Sequence, residues 1–178
     1  TNDNFQGAHL AVQALLEDGF DHVALVNFTG SPDWSWVREC RAGAFAALES
    51  RPDVEFLLPS TPGLSRPERL LREVEEWAGR VKPDNLGMVC RCYYSLHMGA
   101  ALRHVLPGGC RVGITVFDVD LPGSDIPGVR KIGCAVERLA EAALRRLAAV
   151  RRGADTPGRL RLPYEVVPNE ALDAVAAR

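Results

Sequence analysis

The sequence lacks the features that would assign it at once to several large functional classes. No apolar run approaches the roughly 18 uninterrupted residues that indicate a membrane-spanning helix. The 21 Lys and Arg residues are balanced by 23 Asp and Glu residues, so the net charge of −2 gives no general basis for nucleic-acid binding. No Gly-x-Gly-x-x-Gly follows a predicted strand, and no Gly-Lys-Ser/Thr run is present, which argues against dinucleotide and Walker-type phosphate sites.

Residues with reactive side chains are present, but their spacing matches no catalytic or metal motif. Cys90 and Cys92 have no second Cys/His pair at zinc-finger spacing, and Ser31 and Ser35 lack the tight glycine turn of hydrolases. The five cysteines form no disulfide framework, so we expect reduced thiols in a cytoplasmic protein. We expect neither an enzyme nor a cofactor or metal. An α/β enzyme that uses a cysteine or a serine is the alternative from a different class.

Strand-like apolar segments alternate with amphipathic helices along the chain. Strands with nearly continuous apolar character are typical of a parallel sheet that helices cover on both faces. The sequence therefore predicts an α/β fold of this type. The predicted helices are 5–17, 36–48, 66–80, 94–105 and 135–151, and the predicted strands are 22–28, 54–59, 85–90, 110–118, 129–133 and 160–168.

Candidate binding residues follow the predicted strands directly. In open parallel sheets, ligands bind beyond the carboxyl ends of the strands. Aromatic faces, an arginine and an aspartate at such an edge suit a small polar ligand, because rings stack while the charged groups fix hydroxyls. The alternative is that surface loops hold such residues in any case. The residues offered there are Asp33, Trp34, Trp36, Arg38, Arg41, Tyr93, Tyr94, Asp118 and Asp120, of which Trp34, Trp36, Arg41, Tyr93 and Asp118 are the candidate ligand residues.

Five segments in a fixed order resemble a known family. They are "DNFQGAHLAVQALLEDGFDHVALV", "SWVRECRAGAFAAL", "MVCRCYYSLHMGAAL", "RVGITVFDVD" and "IPGVRKIGCAVERLAEAALRRL". Together they resemble the effector-binding core of LacI/GalR transcriptional regulators, which have the type I periplasmic-binding-protein fold. The resemblance covers about residues 2 to 167 and implies a two-lobed protein with a ligand cleft between its lobes.

The resemblance also implies how the chain is divided. Residues 1–120 would form the C-terminal lobe of the effector-binding domain. Residues 121–167 would hold the hinge return, a helix of the N-terminal lobe and a closing strand, and 168–178 a flexible tail. "DNFQGA" resembles the segment after the family's first hinge crossing, so we expect the DNA-binding headpiece and the first part of the N-terminal lobe to be missing. Helix 135–151 would then lack its natural partner surface.

Site roles follow from the resemblance position by position. Arg41 matches the family arginine that clamps effector hydroxyl or carboxylate groups, and Asp118 matches the acidic residue that accepts hydrogen bonds from the effector. Tyr93 and Tyr94 stand where the family usually has Asn-Asp. This change implies an effector that is more apolar or aromatic than a simple sugar, or a cleft that the tyrosines fill and that binds no effector.

The resemblance implies three partners: a small sugar-like or aromatic-bearing effector, a second copy of the protein, and operator DNA through the missing headpiece. No membrane partner is expected. Two other functions are compatible with the same fold, namely the solute-binding protein of a sugar transporter and the sensor domain of a xylose-activator-type (AraC-family) regulator. The residues expected at the homodimer interface are His97, Ala101, Leu102 and Leu121.

Overall fold

The predicted α/β alternation is confirmed in the computed structural model. The model describes residues 3–26, 34–59, 67–91, 101, 104–106, 108–117, 129–133, 136–154 and 161–167. In these ranges the helices are α1 (Asn4–Glu17), α2 (Ser35–Leu48), α3 (Pro67–Val81) and α4 (Val136–Arg151), with further helical residues at 101, 104 and 105. The strands are β1 (His22–Val26), β2 (Glu55–Leu57), β3 (Asn85–Arg91), β4 (Arg111–Phe117), β5 (Val129–Gly133) and β6 (Glu165–Val167).

The described strands form one sheet in the order β2-β1-β3-β4-β5-β6. The pairs among the first five strands are parallel, and β6 pairs antiparallel with β5. The register places Val26 beside Cys90 and Cys90 beside Val116, so β1, β3 and β4 reach nearly the same level at their carboxyl ends. The expected parallel sheet is therefore present, with one antiparallel strand added at its edge.

The strands after residue 120 pair with the sheet formed before it. We expect 121–167 to hold the hinge return, a helix of the N-terminal lobe and a closing strand, and its strands β5 and β6 extend the sheet of β1–β4. The described strands on the two sides of residue 120 therefore belong to one sheet. The apolar pattern of a five-residue segment such as β5 indicates that it is a strand. It does not indicate the partner strand, because pairing is set by contacts distant in sequence. The division into two lobes stays a prediction.

Two hydrophobic clusters cover the two faces of the sheet. Along β1, Val23 and Leu25 point to the cluster of α1 and α2, whereas Ala24 and Val26 point to the cluster of α3. This alternation follows from the two-residue period of a strand. Both sets are buried, which explains why β1 is apolar without interruption.

Helix α1 is fixed at its amino end by side-chain hydrogen bonds. Asp3 caps the helix, as its spacing to Gln6 predicts, because its carboxylate accepts a hydrogen bond from the Gln6 backbone N–H at 3.1 Å. The Gln6 side chain instead accepts a hydrogen bond from the backbone N–H of Tyr164 at 3.0 Å. The first turn of α1 therefore holds the segment that leads into β6.

Helix α4 differs from α1, α2 and α3 because none of its described side chains is buried. Its large apolar side chains Leu139, Leu144, Leu147 and Val150 are 40%, 65%, 54% and 54% exposed. The stripe that the sequence places on one side of this helix is therefore uncovered in the structure. No helix among the described residues combines the length and apolar character that a membrane crossing requires.

Candidate functional site

The carboxyl edge of the sheet provides a level platform about as wide as a small molecule. The last residues of β1, β3 and β4 are Val26, Arg91 and Phe117. Neighbouring strands lie about 4.8 Å apart, so β1 and β4, with β3 between them, are separated by roughly 10 Å. Tyr93 and Asp118 follow the ends of β3 and β4 by two residues and one residue.

Two tryptophans stand at the start of α2, which follows β1 along the chain. Trp34 occupies the cap position with an extended backbone, and its side chain is half exposed at 52%. The Trp36 ring lies 6.0 Å from the Trp34 ring, tilted by 56°, and packs against the cluster of α1 and α2. The core thus fixes Trp36, while Trp34 presents a broad aromatic surface that a ligand ring can contact.

Arg41 lies almost two turns into α2, about 9 Å along the helix axis from Ser35. Its spacing from Trp34 is seven residues, which places the two on the same side of the helix. Arg41 is partly buried, and no hydrogen bond or ion pair joins its guanidinium to another residue of the described ranges. The N–H groups of the Arg41 guanidinium therefore donate no hydrogen bond to a described residue.

Trp36 and Arg41 lie on α2 and Trp34 at its cap position, and the binding roles of all three stay predictions. Asp118 and Tyr93, with its neighbour Tyr94, lie outside the described residues, and their roles stay predictions. The same holds for three of the expected dimer residues, His97, Leu102 and Leu121. The fourth, Ala101, is helical and half buried.

A polar cluster beside α2 was not predicted from the sequence. The Glu39 carboxylate accepts a hydrogen bond from the Asn4 side-chain amide at 3.1 Å and another from the Arg161 guanidinium at 2.9 Å. A second Arg161 nitrogen lies 3.7 Å from an Asp3 carboxylate oxygen. Glu39 and Arg161 are 122 positions apart, so no local pattern signals their contact.

The opposite edge of the sheet contains an open groove beside the amino ends of β3 and β4. Its only thiol is that of Cys110, and burial, followed by the negative charge of Asp84, raises the pKa of that thiol. A raised pKa disfavours the thiolate, which is the nucleophilic form. The groove has a volume of about 490 Å³, and its lining is Ala78, Gly79, Lys82, Pro83, Asp84, Gly108, Gly109 and Cys110.

The cysteines of the described ranges do not form a reactive arrangement. Cys40 and Cys90 are buried in the core and form no disulfide with another described cysteine. Within the same ranges, no group of three His, Cys, Asp or Glu side chains is placed to hold a metal ion. Cys92 and Cys134 lie outside the described residues.

Comparison with known proteins identifies the fold. No protein-family model and no curated protein sequence matches the chain. Solved structures do match over 96% of it. One is a periplasmic solute-binding protein of an ABC transporter from Actinobacillus succinogenes with bound D-allose, with a TM-score of 0.71 and 17% sequence identity.

Two further matches are transcriptional repressors. The Escherichia coli repressor AscG has a TM-score of 0.66 at 20% identity, and a dimeric Lac repressor with a C-terminal deletion has a TM-score of 0.66 at 18% identity. The chain spans only 60% to 62% of the length of these three structures. The predicted fold is thus confirmed: the chain has the type I periplasmic-binding-protein-like fold found in LacI-family repressors and sugar-binding proteins.

Proposed function

We propose that this chain is the effector-sensing and dimerisation region of a bacterial LacI-type transcriptional regulator, which binds a small polar or sugar-like ligand and thereby controls operator binding. The observation that carries the proposal is the level carboxyl edge of β1, β3 and β4, with Trp34, Trp36 and Arg41 on the helix that follows β1. In open parallel sheets this edge is where ligands bind.

The residues of the edge have complementary tasks in this proposal. Trp34 offers a ring face for stacking, and Arg41 offers a planar set of donors for hydroxyl or carboxylate oxygens. Asp118, directly after β4, accepts hydrogen bonds from ligand hydroxyls, and Tyr93 adds a second aromatic surface. In this proposal these residues bind and orient the ligand and do not react with it. The ligand then leaves the site chemically unchanged, and the protein is not an enzyme.

The proposed mechanism is a shift between two arrangements of the lobes. Helix α4 begins three residues after β5 ends, and β5 runs parallel to β4, so α4 starts at the same edge of the sheet as the ligand site. A ligand that contacts this edge and the lobe containing α4 binds more tightly when the lobes are closed. Differential affinity for the closed arrangement then shifts the population towards it.

Control of transcription requires partners beyond a single copy of these 178 residues. The helix that includes Ala101 is proposed as part of the homodimer surface, together with His97, Leu102 and Leu121. A headpiece outside this sequence would contact operator DNA, and closure would change the spacing of two such headpieces. The dimeric Lac repressor of similar fold supports this arrangement.

Solute binding for a transporter is the second candidate function. The solved structure with a TM-score of 0.71 is a periplasmic solute-binding protein with bound D-allose. The two functions share the ligand edge and differ in whether a DNA-binding headpiece or a secretory signal belongs to the full protein. The coding sequence upstream of Thr1 therefore distinguishes them.

Titration calorimetry with D-allose and a panel of pentoses, hexoses and aryl glycosides tests the ligand edge. We expect one or more of these compounds to bind, and Arg41→Ala to weaken that binding by about 1.5–3 kcal/mol, roughly 10- to 150-fold in Kd, because a charged hydrogen-bond donor is lost. Arg72→Ala, at a solvent-exposed position on α3, is the matched control and should bind as the unmodified chain does. Equal affinity of the Arg41 and Arg72 variants would remove Arg41 from the site.

A further inference from the structure

The segment that leads from α4 into β6 is bonded to the first turn of α1 and to α2 at two points. At residue 161, the Arg161 guanidinium contacts the carboxylates of Glu39 and Asp3 at 2.9 and 3.7 Å. Three residues later, the Tyr164 backbone N–H donates to the Gln6 side chain at 3.0 Å, and the Tyr164 side chain is buried in the core. Both points lie against the amino-terminal turn of α1.

The contact at Arg161 also includes α2, through Glu39. One carboxylate oxygen of Glu39 accepts a hydrogen bond from Arg161, and the other accepts one from the Asn4 side-chain amide. The Asn4 side-chain oxygen is buried and has no hydrogen-bond partner among the described residues. A buried polar atom without a partner has an energetic cost, so this orientation of Asn4 is maintained by its bond to Glu39.

Glu39 belongs to the part of α2 that carries the candidate ligand residues. It follows Trp36 by three residues and precedes Arg41 by two, so a change in its position moves the same helical turns. Helix α4, in contrast, has no buried side chain among its described residues. A movement of α4 can reach α1 and α2 through the covalent segment that leads from its carboxyl end to Arg161.

We infer that Arg161 is a coupling residue, which links the position of α4 to the orientation of α2 through its ion pair with Glu39. This inference rests on the proposed function, because it assigns the pair a role in transmitting closure between the lobes. The pair suits such a role: Glu39 is 26% and Arg161 44% exposed, so water can replace either partner when the contact opens. Asp3 keeps the released guanidinium close to its position.

Hydrogen–deuterium exchange of the ligand-free chain tests the inference. We expect Arg161→Gln to accelerate amide exchange roughly three- to ten-fold in residues 161–164 and also in residues 35–41, without a change in β3 and β4, because α2 loses its restraint while the core stays intact. Arg161→Lys should restore much of the protection, since it retains the positive charge. Arg145→Gln is the matched control, because Arg145 is 83% exposed and its one ion pair within the described ranges is with Glu141 on the surface of α4.

Two outcomes would overturn the inference. Faster exchange in 161–164 alone, with 35–41 unchanged, would make Arg161 an anchor of its own segment. Equal acceleration throughout β3 and β4 would show general destabilisation. Since no ligand takes part, a positive result together with absent ligand binding would reject the proposed function and leave the mechanical link intact.

Discussion

Gly43 shows how a single residue determines the spacing of the two helices beside the ligand edge. A Cβ atom at this position would overlap the backbone carbonyl oxygen of Phe5, so α1 and α2 approach each other closely because Gly43 has no side chain. His9 lies at the same crossing, with its Nδ1 atom 3.3 Å from the Gly43 carbonyl oxygen. Since the obstacle is backbone, it cannot move out of the way by a change of rotamer.

Gly43→Ala is therefore expected to lower the free energy of unfolding by about 1–3 kcal/mol, the usual cost of overpacking. Gly79→Ala is the matched control: Gly79 also lies within a helix, but a Cβ there would meet nothing within 4 Å. That substitution should stabilise the chain by roughly 0.5–1 kcal/mol. Urea unfolding measures both, and equal effects of the two substitutions would show that the close approach at Gly43 does not limit the packing of α1 on α2.

Among the structural elements, α4 has an apolar stripe that predicts burial, but this stripe is exposed. Its apolar stripe is as regular as those of the buried helices, yet Leu144 and Leu147 are more than half exposed. Helix α3 provides the contrast, because Leu70 is 1% exposed and lies in the cluster beneath the sheet. The stability of the sheet should thus depend on the apolar residues of α3 and hardly on those of α4.

Leu147→Gln is expected to change the free energy of unfolding by no more than about 0.5 kcal/mol, as is usual for surface positions. Leu70→Ala should cost about 2–5 kcal/mol, because it leaves a cavity in the core. Thermal or urea unfolding followed by circular dichroism compares the two. A loss of several kcal/mol in the Leu147 variant would mean that α4 packs on the rest of the chain.

The elements also show which structural features the sequence alone makes predictable. For the elements that the structure describes, the order of helices and strands and the 129–133 strand were predicted correctly, because their periodicity is local. Where β5 and β6 pair could not be predicted, since strand partners are chosen by contacts across the whole fold. The candidate site has the same limit. The closeness of Trp34, Trp36 and Arg41 along the chain could be predicted, because all three belong to α2 or its cap. The contact of Glu39 with Arg161 could not, because it joins segments distant in sequence.

At the scale of the whole molecule, the fold has two edges with different chemistry. The carboxyl edge combines level strand ends with the exposed Trp34 at the cap of α2 and the partly buried Arg41 within α2. The amino edge contains the groove around Cys110, with a thiol whose pKa is raised by burial. In the proposed sensor the ligand binds at the first edge, towards which β5 runs before α4 begins.

The most direct test is an amide chemical-shift map of the isotopically labelled chain, recorded during titration with D-allose and with any stronger binder from the sugar and glycoside panel. The account predicts that the shifted amides cluster in the residues that follow β1, β3 and β4 and in the first turns of α2. Shifts confined to the groove at residues 78–84 and 108–110, or no shifts with any compound, would contradict it.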